Sequence, residues 1–228
     1  MAIVASKVQV EQREIVFWDK PAEMLTASPK GTVPVLILPN GEVIDESRDI
    51  MLWALAQSDP LKWLPAETDA DFTEMMALID QCDDEFKAHL DHYKYADRFP
   101  ERPPEFYREQ GEVFLQRLEE RLEAGFIKTT QNQGFQEKLA PKLFKNQTGL
   151  VDVALFPFIR QFAQVDKTWF DTANYPTLRA WLDSFLSSEL FASAMKNRPV
   201  WQSGDSPLWV DEPDLQTRDQ FTRKARGN

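Results

Sequence analysis

The sequence predicts an α/β domain followed by an all-α helical bundle, and three observations carry that reading. Strand and hairpin signals occur only before Gln57. Pro60 and Pro65 then punctuate a segment, 58–69, that has neither helical nor strand periodicity. From Ala70 onward, apolar residues recur three and four positions apart in several long stretches, with no convincing strand among them. The domains expected are therefore 1–59, 70–198 and an irregular tail over 199–228.

Met1 to Val8 is small and apolar, as suits the end of a helix. Val10 to Phe17 mixes β-branched and polar residues and reads as a strand, broken at Asp19-Lys20-Pro21. Pro21, with its fixed φ, suits the first position of a short helix through Leu25. Val33 to Leu38 reads as a second strand and Glu42 to Ile44 as its return, joined by the Asn40-Gly41 signal of a tight hairpin. Ser47 to Gln57 carries Ile50, Met51, Trp53, Ala54 and Leu55 on a helix with a buried face. In the second domain, Phe72, Met75, Met76, Ile79, Cys82, Phe86 and Leu90 mark one bundle helix. Phe106, Val113, Leu115, Leu118 and Leu122 mark another, after a break at Pro100 to Pro104. Gly125 to Gly149 reads as a polar connection holding a small hairpin or partial disorder. Val151 to Val165, almost wholly apolar, is expected as the buried central helix, and Tyr175 to Met195 as one further helix. After Asn197 the prolines predict a strap with a loose end, docked through Trp201 and Trp209.

With 228 residues, of which 43% are hydrophobic and 28% charged, the chain can bury one large or two small cores. A net charge of −11 and a pI near 4.8 disfavour nucleic acid and anionic membranes, leaving small molecules or other proteins as partners. Cys82 is the single cysteine, so an intrachain disulfide and a multi-cysteine metal site are excluded, and a reducing cytoplasm fits. No apolar run approaches the roughly 20 residues that span a bilayer, and no secretory leader opens the sequence.

The run Ser28-Pro29-Lys30-Gly31-Thr32-Val33-Pro34-Val35-Leu36, followed by Asp45-Glu46-Ser47, carries the chemistry. Pro34 removes one ladder donor and leaves the Val33 amide and carbonyl free at a strand end, where a peptide-like ligand can pair as an added strand. The helix beginning near Ser47 favours a carboxylate at the same place, and Glu46 can accept from a ligand ammonium. A γ-glutamyl peptide carries both groups. Taken separately, an edge strand and a helix cap would be the simpler readings, and only the combination reverses that preference. Elsewhere the simpler readings hold: Cys82 as a small core residue, His89 and His92 as a solvated face rather than a metal site, and Asp83-Asp84 as solvated. Phe86, Tyr93, Tyr95 and Phe99 fit either core packing or the lining of an electrophile pocket.

Together, Lys20-Pro21, the Ser-Pro-Lys-Gly-Thr-Val-Pro-Val-Leu run and Glu46-Ser47 resemble the glutathione site of the glutathione S-transferase superfamily, in its omega-like and related bacterial members. Tyr93 to Phe99 and Gly149 to Phe158 resemble those members too, except that Gly149 stands where the family carries Ser or Thr, leaving only the Asp152 half of a capping box. The resemblance implies a thioredoxin-like N-terminal domain with a C-terminal helical bundle, glutathione as co-substrate, no metal, and a homodimer. It implies that Val33 and Pro34 present the backbone to the cysteinyl part, that Glu46 and Ser47 hold the γ-glutamyl end, and that Lys20 fixes the glycyl or cysteinyl part. A hydrophobic electrophile or mixed disulfide would be the second substrate.

Met1 to Val8 is similar to the later part of the family's first helix, so the first strand and the catalytic turn are expected to fall before Met1, and no catalytic residue is assigned. In a thioredoxin-like sheet that strand lies between its neighbours, and losing three or four of its buried side chains would cost about 5 to 10 kcal/mol. An upstream start or a truncated product is the expectation. Two other readings follow from the missing turn: a non-catalytic binding or regulatory protein, resembling the stringent starvation protein A branch of the superfamily, and an inactive remnant.

Overall fold

The computed structural model describes residues 1–133, 140–144 and 147–217, which divide into two compact units. One joins Met1–Leu61 to the chain from Ser187 onward, and the other is Lys62–Leu186.

The first unit opens with α1 (Ala2–Ser6), which Lys7 ends in a left-handed conformation, and continues to α2 (Ala22–Ala27). The strand expected over Val10 to Phe17 is corrected. This segment makes only isolated bridges, from Glu11 to Trp209, Glu14 to Val200 and Val16 to Asp19. Its backbone partners come from the C-terminal strap: the Gln12 amide donates to the Leu208 carbonyl (2.8 Å), Val210 to Val10 (2.9 Å) and Trp201 to Glu14 (2.9 Å). Pro199 and Pro207 lack the N–H a continuous ladder would need, which keeps these contacts single. Trp201 docks as expected, with the Arg13 guanidinium 4.5 Å from its ring centre. The loose end expected of the tail lies outside the described residues.

β1 (Leu36–Ile37) and β2 (Val43–Ile44) form an antiparallel hairpin, with Leu36 opposite Ile44. The strand is shorter than the expected Val33 to Leu38, since pairing starts only beyond Pro34. Gly41, at φ 86°, supplies the positive dihedral of the turn, where the Gly41 amide donates to the Leu38 carbonyl. α3 (Ser47–Gln57) has the extent its pattern predicts and buries Ile50, Ala54 and Leu55. α1 packs against α3 and against α10 (Glu189–Ala194).

The second unit is helical. α4 (Ala70–Gln81), capped by the Asp69 carboxylate, runs through one π turn (Cys82–Phe86) into α5 (Lys87–Lys94), and a 3₁₀ turn follows at Ala96–Arg98. Next come α6 (Pro104–Gln133), α7 (Leu150–Val165), α8 (Lys167–Thr172) and α9 (Pro176–Leu186). Two expectations change here. The polar stretch after Gly125 continues α6 to Gln133, and residues 134–139 and 145–146 lie outside the description. The single helix expected over Tyr175 to Met195 is two, because Ser188 Oγ accepts from the Phe191 amide (3.1 Å) and starts α10 afresh. α8 was hidden in the sequence behind Asp166, whose carboxylate caps it at the Trp169 amide (2.9 Å).

Phe86 is fully buried against Phe114 (4.9 Å between ring centres) and Phe162 (5.4 Å), and Tyr93 is buried beside Phe162 (5.1 Å). Of the two readings open for these aromatics, core packing holds for Phe86 and Tyr93. Gly111 permits the approach of α6 to α7, since a Cβ there would fall 2.5 Å from the Phe162 ring. At the start of α7, Asp152 is wholly buried and accepts from the Gly149 amide (2.9 Å), the Leu143 amide (3.1 Å) and Trp181 Nε1 (2.8 Å). The Asp152 half of the capping box is therefore present. Burial pushes this carboxyl above the usual carboxylate range, against the pull of those three donors.

Candidate functional site

The local sequence first sets a turn. The Gly31 amide donates to the Ser28 carbonyl (3.0 Å), and Gly31 is buried at φ 65°, a dihedral that side chains rarely adopt. Lys20, arriving from the segment before α2, lays its ammonium over this turn, 3.7 Å from where a Gly31 Cβ would stand. The chain then passes through Thr32 to a bend at Val33, whose peptide bond to Pro34 is cis.

Two side-chain contacts clasp this segment against the start of α3. The buried Ser28 donates its hydroxyl proton to Asp45 Oδ2 (2.7 Å), and Lys30 forms an ion pair with Glu46. Segments 28–34 and 45–47, separate in sequence, are thereby held as one edge. Glu46 raises the Lys30 ammonium above its ordinary value through that hydrogen bond. The pair stays open to water, with both side chains about half exposed.

Along this edge Val33 is 41% exposed, and neither its amide nor its carbonyl has a hydrogen-bond partner among the described residues. Glu46 is the N-cap residue of α3 by backbone conformation, and its carbonyl accepts from the Ile50 amide (3.0 Å), yet no side chain caps the helix. The Ser47 hydroxyl is exposed and likewise unengaged among the described residues. The two clasped segments thus carry an unpaired backbone at Val33, an uncapped helix start and a carboxylate in water. That combination can hold a zwitterionic peptide end by backbone pairing, helix-terminal attraction for its carboxylate and ion pairing for its ammonium.

Of the five residues singled out from the sequence, the structure places Lys20 over the Gly31 turn and Glu46 and Ser47 at the helix start. The Ser28–Asp45 and Lys30–Glu46 contacts tie the segment that leads into Val33 and Pro34 to that start. Lys30 and Asp45 were not assigned roles in the sequence. Their proximity in the motif was visible, but the pairing across sixteen residues (Lys30 to Glu46) required the fold.

The other titratable candidates belong to the second unit. Cys82 is 1% exposed and burial pushes its thiol up to about 12. His92 stacks on Phe99 (4.0 Å) and Tyr107 (4.9 Å). Among the described residues no three His, Cys, Asp or Glu side chains gather as a metal-binding group, and no helix is long and apolar enough to cross a membrane.

Residues 5–57 match the family described as glutathione S-transferase, N-terminal domain. Among solved structures, BphK, a bacterial glutathione S-transferase in a ternary complex, superposes with a TM-score of 0.67 at 19% identity, over 84% of this chain and 88% of that one. A possible glutathione S-transferase from Rhodopseudomonas palustris gives 0.62 at 20% identity, over 89% and 86%. A glutathione S-transferase from Methylobacillus flagellatus KT with glutathione bound gives 0.62 at 18%, over 83% and 88%. No curated protein sequence matches. The thioredoxin-like domain and helical bundle expected from the sequence are thus the fold the chain has.

Proposed function

We propose that this chain is a member of the glutathione S-transferase superfamily that binds glutathione on the edge formed by Val33, Pro34, Glu46 and Ser47 and presents its thiol to a small hydrophobic electrophile or mixed disulfide. The observation that carries the reading is the unpaired Val33 backbone clasped beside an uncapped helix start. The cysteinyl backbone pairs with Val33. Glu46 receives the γ-glutamyl ammonium, and Ser47 with the first turn of α3 receives its carboxylate. Lys20, over the Gly31 turn, meets the glycyl carboxylate. The bound peptide in its relative from Methylobacillus flagellatus supports glutathione as the ligand. A cytoplasmic homodimer accords with the family.

The reactive sulfur belongs to the ligand on this reading, since the one cysteine of the chain is buried in the helical unit. At pH 8 a thiol of pKa about 12 is ionised in about one molecule in ten thousand. Iodoacetamide is accordingly expected to leave Cys82 unmodified in the folded protein and to label it fully in denaturant. Rapid labelling of the native chain would contradict its placement.

The functional test measures glutathione affinity in the wild type, Glu46→Ala and Ser47→Ala, followed by turnover with an aromatic electrophile and with a glutathionyl mixed disulfide. Weakened binding in both variants supports the site. Equal binding by all three sinks it. Binding without turnover of either substrate favours the non-catalytic regulatory reading on the same scaffold.

A further inference from the structure

We infer that Lys30 is a specificity residue that reads the α-carboxylate of the γ-glutamyl end, so that Lys30 and Glu46 act as a two-sided clamp selecting an α-amino-acid zwitterion. The inference rests on the glutathione reading above and assigns to it a residue that the reading does not use.

Three features of the edge carry it. Lys30 and Glu46 are paired to each other, although Lys30 lies in the turn before the Val33 segment and Glu46 starts α3. Their half exposure makes the pair a weak and easily exchanged contact, for a water-exposed ion pair gains little over two hydrated ions. Each partner is also matched in sign to the group the other would release. A ligand bearing both an ammonium and a carboxylate on one carbon can insert between them, its ammonium taking the place of Lys30 on Glu46 and its carboxylate taking the place of Glu46 on Lys30. With the ligand seated, each of the four charges has a partner. A ligand with only one of the two groups leaves either Lys30 or Glu46 without its former partner.

Charge counting agrees. Glutathione carries two carboxylates and one ammonium, and this edge offers Lys20 and Lys30 as cations and Glu46 as the facing anion, with Asp45 already engaged by the Ser28 hydroxyl. In a chain of net charge −11, the two lysines balance Glu46 and Asp45 at this edge, so a ligand of net charge −1 is matched group by group there.

The test is calorimetric titration of the full chain with three peptides: glutathione, 4-aminobutyryl-cysteinyl-glycine, which lacks the α-carboxylate, and glutaryl-cysteinyl-glycine, which lacks the ammonium. Lys30→Met is expected to weaken glutathione roughly tenfold, the scale of one charge-assisted hydrogen bond, and to leave the 4-aminobutyryl peptide, which no longer has to displace Lys30 from Glu46, bound as tightly or more so. Lys30→Arg should restore most of the glutathione affinity. Unchanged thermal midpoints will show that both variants fold. If Lys30→Met weakens all three peptides alike, or none, the clamp is overturned while the glutathione reading stands. Tighter glutathione binding in Lys30→Met would mean that Lys30 only competes for Glu46, which also overturns it. If wild-type protein takes up no glutathione, the underlying reading fails, and the clamp with it.

Discussion

Several helices in this molecule carry an acidic residue in or beside their first turn, and two of them, α7 and α3, spend it in opposite ways. At the start of α7, Asp152 is wholly buried and satisfies two backbone amides and the Trp181 indole. At the start of α3, Glu46 lies in water, caps nothing and holds only the ammonium of Lys30. The first carboxylate has its acceptor capacity committed inside the protein. The second keeps most of it for something else. Both helices are long enough for their dipoles to favour an anion at that end, so the dipole does not separate them. Burial and the number of committed partners do.

The contrast predicts where substitutions should act. Asp152→Ala has the largest expected effect. It strands the Gly149 and Leu143 amides and the Trp181 N–H in a dry site, and should cost about 3 kcal/mol of stability, a fall on the order of 10 °C in thermal midpoint. Trp181→Phe removes only one of these donors and keeps most of the ring packing against Phe156 and Phe185, so a loss of about 1 to 2 kcal/mol in chemical denaturation is expected. A smaller signature is its pH dependence. Because burial raises the Asp152 carboxyl, the folded state holds that proton more tightly than the unfolded chain does. Its contribution is complete below the ordinary value of 3.8 and is lost as pH rises through the raised folded value. Asp152→Asn has no such titration, so the stability advantage of wild type over this variant should be wider near about pH 4 than at pH 8. Thermal melts of the two proteins across that range check it. Glu46→Ala should do least to stability, leaving the thermal midpoint in place while glutathione affinity falls. A melt that drops as far for Glu46→Ala as for Asp152→Ala would erase the distinction.

What was legible in the sequence followed the range of the interactions. The α3 boundaries, the Asn40-Gly41 hairpin and the apolar α7 are set by signals within a dozen or so residues, and each stands close to where its pattern puts it. Val10 to Phe17 is not the strand its composition suggests, because β-branched residues favour an extended backbone without saying what pairs with it, and the partners lie at Val200, Leu208 and Val210. The break between α9 and α10 turns on one hydroxyl, Ser188, in a stretch whose apolar spacing runs on through it. At the site, the residue types were legible because backbone pairing and helix starts constrain them locally. The closure of the edge by Ser28 with Asp45 and Lys30 with Glu46 was not, since nothing in either segment alone names its partner.

The most direct test of this division between a committed and an available helix start is a backbone amide NMR titration with glutathione. The perturbed resonances should cluster at Lys20, Gly31 to Val33 and Glu46 to Arg48, while the amides of Leu143 and Gly149 to Asp152 stay fixed. Perturbations centred on the start of α7, or an absence of change at Val33 and Ser47 under saturating peptide, would contradict that division.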